Sequence, residues 1–160
     1  VVEDIKFIKE AEKGDEEIGI AMIVVIDTNV LISALIKDSY TRRIIVTSGL
    51  SFFYPEISLN EIRRHKETIL DKSGLKDDDY NKLLDKLLEY INLVPDRIIM
   101  QKLEQAKDIM QQIDASDVVF ISAALNFDGS FIWSDDKDFD RQKRIPHITT
   151  KDMAEVFLKK

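Results

Sequence analysis

Apolar positions along this chain change period several times, and each change marks the end of an element. Ile23, Val24, Val25 and Ile26 form an unbroken, β-branched run after Met22, the pattern of a strand buried on both faces of a parallel sheet. The run stops at Asp27. A helix is then predicted over Val30–Ile36 and a second over Thr41–Thr47, closed by Gly49. "LSFFYP" predicts another strand, ended by Pro55. Ser58 with Glu61 three residues on has capping-box spacing, so one helix is predicted from there to about Lys72, before Gly74. Residues 76–94, "KDDDYNKLLDKLLEYINLV", read as one amphipathic segment with Tyr80, Leu83, Leu84, Leu87, Leu88 and Ile91 on a single stripe. Such a stripe suits either the core or a partner's face.

After Pro95 the pattern predicts a short "RII" segment and a helix over Met100–Met110. The next helix is predicted over Ala115–Asn126, with Val118, Ile121, Ala124 and Leu125 in helical period and Gly129 to end it. "SFIWS" is a compact strand, "DDKDF" an acidic turn, and "HITT" leads into a last helix through Phe157. Strands alternating with helices predict an α/β fold: a three-layer α/β/α sandwich around a central, mainly parallel sheet. In such sheets ligands bind beyond the carboxyl ends of the strands, near a switch in strand order.

With 160 residues, 44% of them hydrophobic, the chain has the size of one domain with a substantial core. Residues 1–21 are charge-rich, contain two glycines and offer only a short Ile5, Ile8 stripe. They read as an appendage, either an extra helix or a remnant, with Met22 as a natural start and residues 22–160 as the single domain. Absence of cysteine excludes disulfides, thiolate metal sites and cysteine nucleophiles. No apolar stretch approaches the roughly 20 residues of a membrane span and no leader precedes the first strand, so a soluble cytoplasmic protein without membrane contact is expected. A net charge of −7 disfavours broad adhesion to nucleic acid. It leaves room for a nuclease whose acids gather a cation, with phosphate handled by Arg42 and Arg43, by Arg63, Arg64, His65 and Lys66, or by Lys137, Arg141, Lys143 and Arg144.

The acids carry the candidate chemistry. Asp27 ends a buried strand, where a carboxylate is costly without a cation or hydrogen bonds; the alternative reading is a cap for the following helix. Asp136 follows the "SFIWS" strand with Asp135 and Asp138 beside it, Asp114 and Asp117 precede or begin an apolar helix, and Glu61 lies in a first helical turn. Singly, each is an acid favoured at a helix N-terminus. Converging, they suit Mg²⁺ or Mn²⁺, which takes several carboxylate oxygens and can activate water against a phosphodiester.

In order, "VIDTNVLISAL", "LNEI", "DASDVVFISAAL" and "WSDDKDF" resemble the PIN-domain family over about residues 22 to 158. The resemblance implies an α/β/α domain with an acidic Mg²⁺ or Mn²⁺ centre and, in many members, ribonuclease activity on single-stranded RNA. Carried over by motif, the catalytic and metal-binding acids are Asp27, Glu61, Asp117 and Asp136, supported by Asn29, Ser134 and Asp114. It also raises the toxin of a toxin–antitoxin pair, held silent by a cognate protein, and a homodimer. Competing readings are a catalytically silent binding module and a metal-dependent phosphatase; Asn29 stands where the latter commonly places a second acid. His65 and His147 read as an exposed polar residue and a structural one, Phe52, Phe53, Phe131, Trp133 and Phe139 as core, and no phosphate-binding glycine loop is present.

Overall fold

Val24, Val25 and Ile26 are fully buried because β1 (Ile23–Ile26) lies at the middle of a five-stranded sheet. The computed structural model describes residues 22–36, 40–110 and 115–158, so the appendage read at 1–21 lies outside the described residues. The other strands are β2 (Ser51–Pro55), β3 (Ile91–Val94), β4 (Phe131–Trp133) and β5 (His147–Ile148), in the order β3-β2-β1-β4-β5 with every pairing parallel. Eight described helices connect or follow them: α1 (Thr28–Ile36), α2 (Tyr40–Thr47), α3 (Leu59–Arg64), α4 (Lys66–Ser73), α5 (Asp77–Leu88), α6 (Asp96–Met110), α7 (Ala115–Leu125) and α8 (Thr150–Phe157).

Strand order dictates the layers. The chain moves outward from β1 to β2 to β3, then returns past β1 to reach β4. Since parallel crossovers are right-handed, connections running in opposite directions place their helices on opposite faces. The outward set gives a layer in which α1 packs with α2, α4 and α5, and α8 joins it against α2. The returning set gives the other, where α7 lies on β1, β2 and β4 with α6 against it. Helix α7 is apolar nearly all round, with Val118, Phe120, Ile121, Ala123 and Ala124 buried, as a helix covered on both sides must be. Its buried Ser122 hydroxyl donates to the Ile99 carbonyl of α6. The expected three-layer α/β/α sandwich is the observed one, with a sheet that is wholly parallel.

Three local readings change. The predicted helix from Ser58 to Lys72 is two helices broken at His65, whose backbone (φ −95°, ψ 6°) leaves the helical region. Nor does Ser58 cap it. A 3₁₀ turn over Glu56–Ser58 comes first, Ser58 is itself helical (φ −73°, ψ −9°), and its carbonyl accepts the Tyr54 hydroxyl at 2.8 Å. The amphipathic segment 76–94 stops being helical at Leu88, and Ile91–Val94 pairs with β2 as an edge strand. The open edge of β2 offers a ladder that a longer helix would leave unpaired, and Asn92 adds a side-chain bond to the Phe52 carbonyl at 3.1 Å. "RII" belongs to α6, which starts at Asp96. On α5, Tyr80 and Leu87 are buried while Leu83 and Leu84 are half-buried, all packed on the chain's own core.

Burial along β3 is uneven, and that sets an expectation for stability. Ile91 is buried and Leu93 is 38% exposed. Ile91→Ala should therefore lower stability by about 2–3 kcal/mol, and Leu93→Ala by no more than about 0.5 kcal/mol. Urea denaturation measures both; equal losses would contradict the difference in burial.

Candidate metal centre

Between β1 and β4 the chain reverses its direction of travel across the sheet, so the loops leaving their carboxyl ends diverge and open a crevice. Asp27 stands at the end of β1, with its backbone N–H still in the ladder, donating to the Trp133 carbonyl at 3.2 Å. Its side chain is buried. Oδ1 accepts the Val30 N–H at 2.8 Å and so caps α1, while Oδ2 accepts the Ser134 hydroxyl. Ser134 Oγ in turn accepts the Asp136 N–H at 3.0 Å, and Asp136 Oδ1 accepts the Asp138 N–H at 2.9 Å. This last bond caps a 3₁₀ turn over Lys137–Arg141 and folds the loop back on itself. One unbroken relay of hydrogen bonds thus connects Asp27 to Asp138.

The loop delivers its acids to a third element. Asp117, in the first turn of α7 and 9% exposed, brings a carboxylate oxygen to those of Asp136 and Asp138, all within 4.8 Å of one another. Behind them, burial pushes the Asp27 carboxyl up from its ordinary 3.8 to about 6. The bonds from Ser134 and Val30 oppose that rise, and the charges of Asp135 and Asp136 add to it. On the far side the Tyr54 hydroxyl, which donates to the Ser58 carbonyl, receives the Thr28 hydroxyl at 2.8 Å. Burial first, then the negative charges of Glu61 and Asp27, makes Tyr54 harder to ionise. Glu61, half-buried on α3, is near enough to Tyr54 for its charge to act there but lies outside the close trio.

The sequence profile of the PIN domain matches residues 25–153. The chain belongs to the PIN-domain family. A chain in the crystal structure of VapBC2 from Rickettsia felis, bound to a DNA fragment from their promoter, has the same fold: TM-score 0.61 at 17% identity, covering 80% of this chain and 98% of that one. No curated protein sequence matches.

Within this PIN domain the acids read from the sequence take different stations. Asp117 and Asp136 meet; Asp27 sits one hydrogen-bonded step behind, through Ser134; Glu61 is not among the clustered acids and lies near Tyr54. Asn29 is exposed, and the Asp27 carboxylate accepts from the Val30 N–H and the Ser134 hydroxyl. Asp114 lies outside the described residues. Of the two acids flanking Asp136, Asp135 turns away, accepting both the N–H and the hydroxyl of Thr150 at 2.7 Å. Asp138 turns in, although motif spacing did not select it. The signal was its position two residues beyond an aspartate that could cap a tight turn.

Three carboxylates this close repel one another unless a cation lies among them, and their oxygens are the ligands a hard divalent ion prefers. The donor set fits Mg²⁺ or Mn²⁺. For Asp27 the unfolded chain releases its proton near 3.8 and the folded chain near 6. Metal-free protein therefore holds the extra proton when folded and loses stability as pH rises from about 4 to 6, with the loss complete above that. Asp27→Asn should remove the penalty, stabilising the metal-free protein by about 1–3 kcal/mol at pH 7 and scarcely at pH 4. Denaturation at both values checks it; a variant less stable at pH 7 would mean that the cap to α1 outweighs the buried charge.

Proposed function

We propose that this PIN domain is a Mg²⁺- or Mn²⁺-dependent endoribonuclease acting on single-stranded RNA. The observation that carries the reading is the convergence of Asp117, Asp136 and Asp138 within 4.8 Å at the switch point of the sheet. These three would hold the cation, with Glu61 and Asp27 as further ligands, direct or through water. When bound, the ion activates a water nucleophile and offsets charge developing on the phosphate. Asp27, through Ser134, fixes the backbone at Asp136 and so the direction in which that carboxylate points. The exposed Lys137 and Arg141, on the same turn as Asp138, orient the substrate's phosphates.

Family membership and the VapBC2 fold match support a further reading, the toxin of a toxin–antitoxin pair held silent by a cognate protein in the cytoplasm. Among the described residues no helix is long and apolar enough to cross a membrane. A homodimer enters through the family resemblance alone, since the stripe of α5 is taken up by its own core; native mass reads it directly.

A mixed single-stranded RNA, with Mn²⁺ present or replaced by chelator, tests the activity. Wild-type protein should cleave internally with Mn²⁺ and not with chelator. Asp27→Asn and Asp117→Asn should each lower the rate by about a hundredfold or more while keeping the fold. Cleavage that survives both substitutions would remove the acids from the reaction. A pure, folded wild type that leaves RNA intact in Mn²⁺ would favour a silent binding module.

A further inference from the structure

The ladder between β4 and β5 ends in an unusual exchange of partners. Ile132 N–H donates to the Pro146 carbonyl at 2.9 Å and Ser134 N–H to the Ile148 carbonyl at 3.0 Å, in parallel register with Ile132 opposite His147. Continued one step, that register would send the Thr150 N–H to the Ser134 carbonyl. Neither group takes the other. Thr150 N–H goes to Asp135 Oδ1 at 2.7 Å, and the Ser134 carbonyl is taken by His147 Nε2 at 2.6 Å. Two side chains replace one backbone bond, and the chain beyond Ser134 is released from the sheet toward the crevice.

His147 does more than end the ladder. Its Nδ1 lies 3.0 Å from Asp140 Oδ1, and its ring packs at 5.8 Å on the fully buried Phe139. A carbonyl and a carboxylate both accept, so an N–H on either ring nitrogen has a partner within hydrogen-bond distance. Ser134 opens the acid-bearing loop and Asp140 lies at its far end. One imidazole, with its side chain only 9% exposed, thereby grips both ends of the segment that carries Asp136 and Asp138.

We propose that His147 is a positioning residue of the metal centre: it fixes the separation of Ser134 and Asp140 and so holds Asp136 and Asp138 on Asp117. This rests on the metal-dependent reading above and adds a residue that none of the acidic motifs contains. An outer residue that orients ligands typically changes metal affinity by about 10- to 100-fold.

Calorimetric titration of the full chain with Mn²⁺, beside melting curves of the metal-free protein, provides the test. His147→Leu should weaken Mn²⁺ binding about tenfold or more, and His147→Gln, whose amide N–H can still reach the Ser134 carbonyl, should restore it to within about threefold. Asp140→Ala, at a side chain 67% exposed, should leave the melting temperature in place and weaken Mn²⁺ about three- to tenfold. A merely structural histidine would lower the melting temperature without changing the affinity of the folded protein, and that result overturns the proposal. Should His147→Leu not fold, Asp140→Ala decides alone, and wild-type affinity there overturns it too. Wild-type protein that binds no Mn²⁺ overturns this proposal together with the metal-dependent reading; a binding wild type with unaffected variants overturns this one only.

Discussion

Much of this molecule is arranged around one costly object, a carboxylate at the closed end of its central strand. Asp27 emerges from a fully buried run with only 5% of its surface exposed. Its two oxygens have protein donors, the Val30 N–H and the Ser134 hydroxyl, yet the proton still stays on to about 6. Two good hydrogen bonds therefore do not offset the loss of water. Any local change that merely stabilised the fold would neutralise this residue. The ionised form is favoured only when its negative charge has a counter-ion to meet, and the nearby acids multiply that demand.

How the acids reach that place is a problem in sheet geometry. A strand that kept its ladder would hold Asp136 and Asp138 on one face of the sheet, about 7 Å apart along the strand, and Asp135 on the other. The β4 strand gives up its ladder after Ser134, and each flanking acid then takes its direction from one bond. Asp135 is drawn to Thr150 at the start of α8, which also receives the Trp133 indole N–H at 2.9 Å. Asp136 is set by the Ser134 hydroxyl, and Asp138 by Asp136. Neighbours in sequence thus acquire opposite duties, one fastening a helix and two facing the crevice.

That division explains what could be read from the sequence. Strand β1, the apolar helix α7 and the alternation that builds three layers announced themselves because burial on both faces leaves continuous apolar runs. Asp27, Asp117 and Asp136 were legible because each ends or begins such a run. Asp138 was not, since its direction depends on a turn closed by another side chain. The break at His65 and the edge strand at Ile91–Val94 were hidden for a related reason. Their local patterns suit a longer helix, and at Ile91–Val94 the decision belongs to the free edge of β2, which is distant in the chain. His147 could be seen as structural, but its two partners lie 13 and 7 residues away and are joined only by the fold.

The overall charge of −7 then ceases to argue against a polyanionic substrate. Screening reduces the long-range field to a reach of about 8 Å at physiological salt, so a strand of RNA meets the local arrangement and not the net charge. Locally, the three clustered carboxylates attract a divalent ion, and the same short turn that presents Asp138 also presents Lys137 and Arg141. Two cationic side chains thus stand on the turn that carries one of the clustered acids. Under the proposed function, a net negative molecule offers little hold to a duplex that needs a broad basic track, whereas a flexible single strand would need only the basic side chains beside the acids.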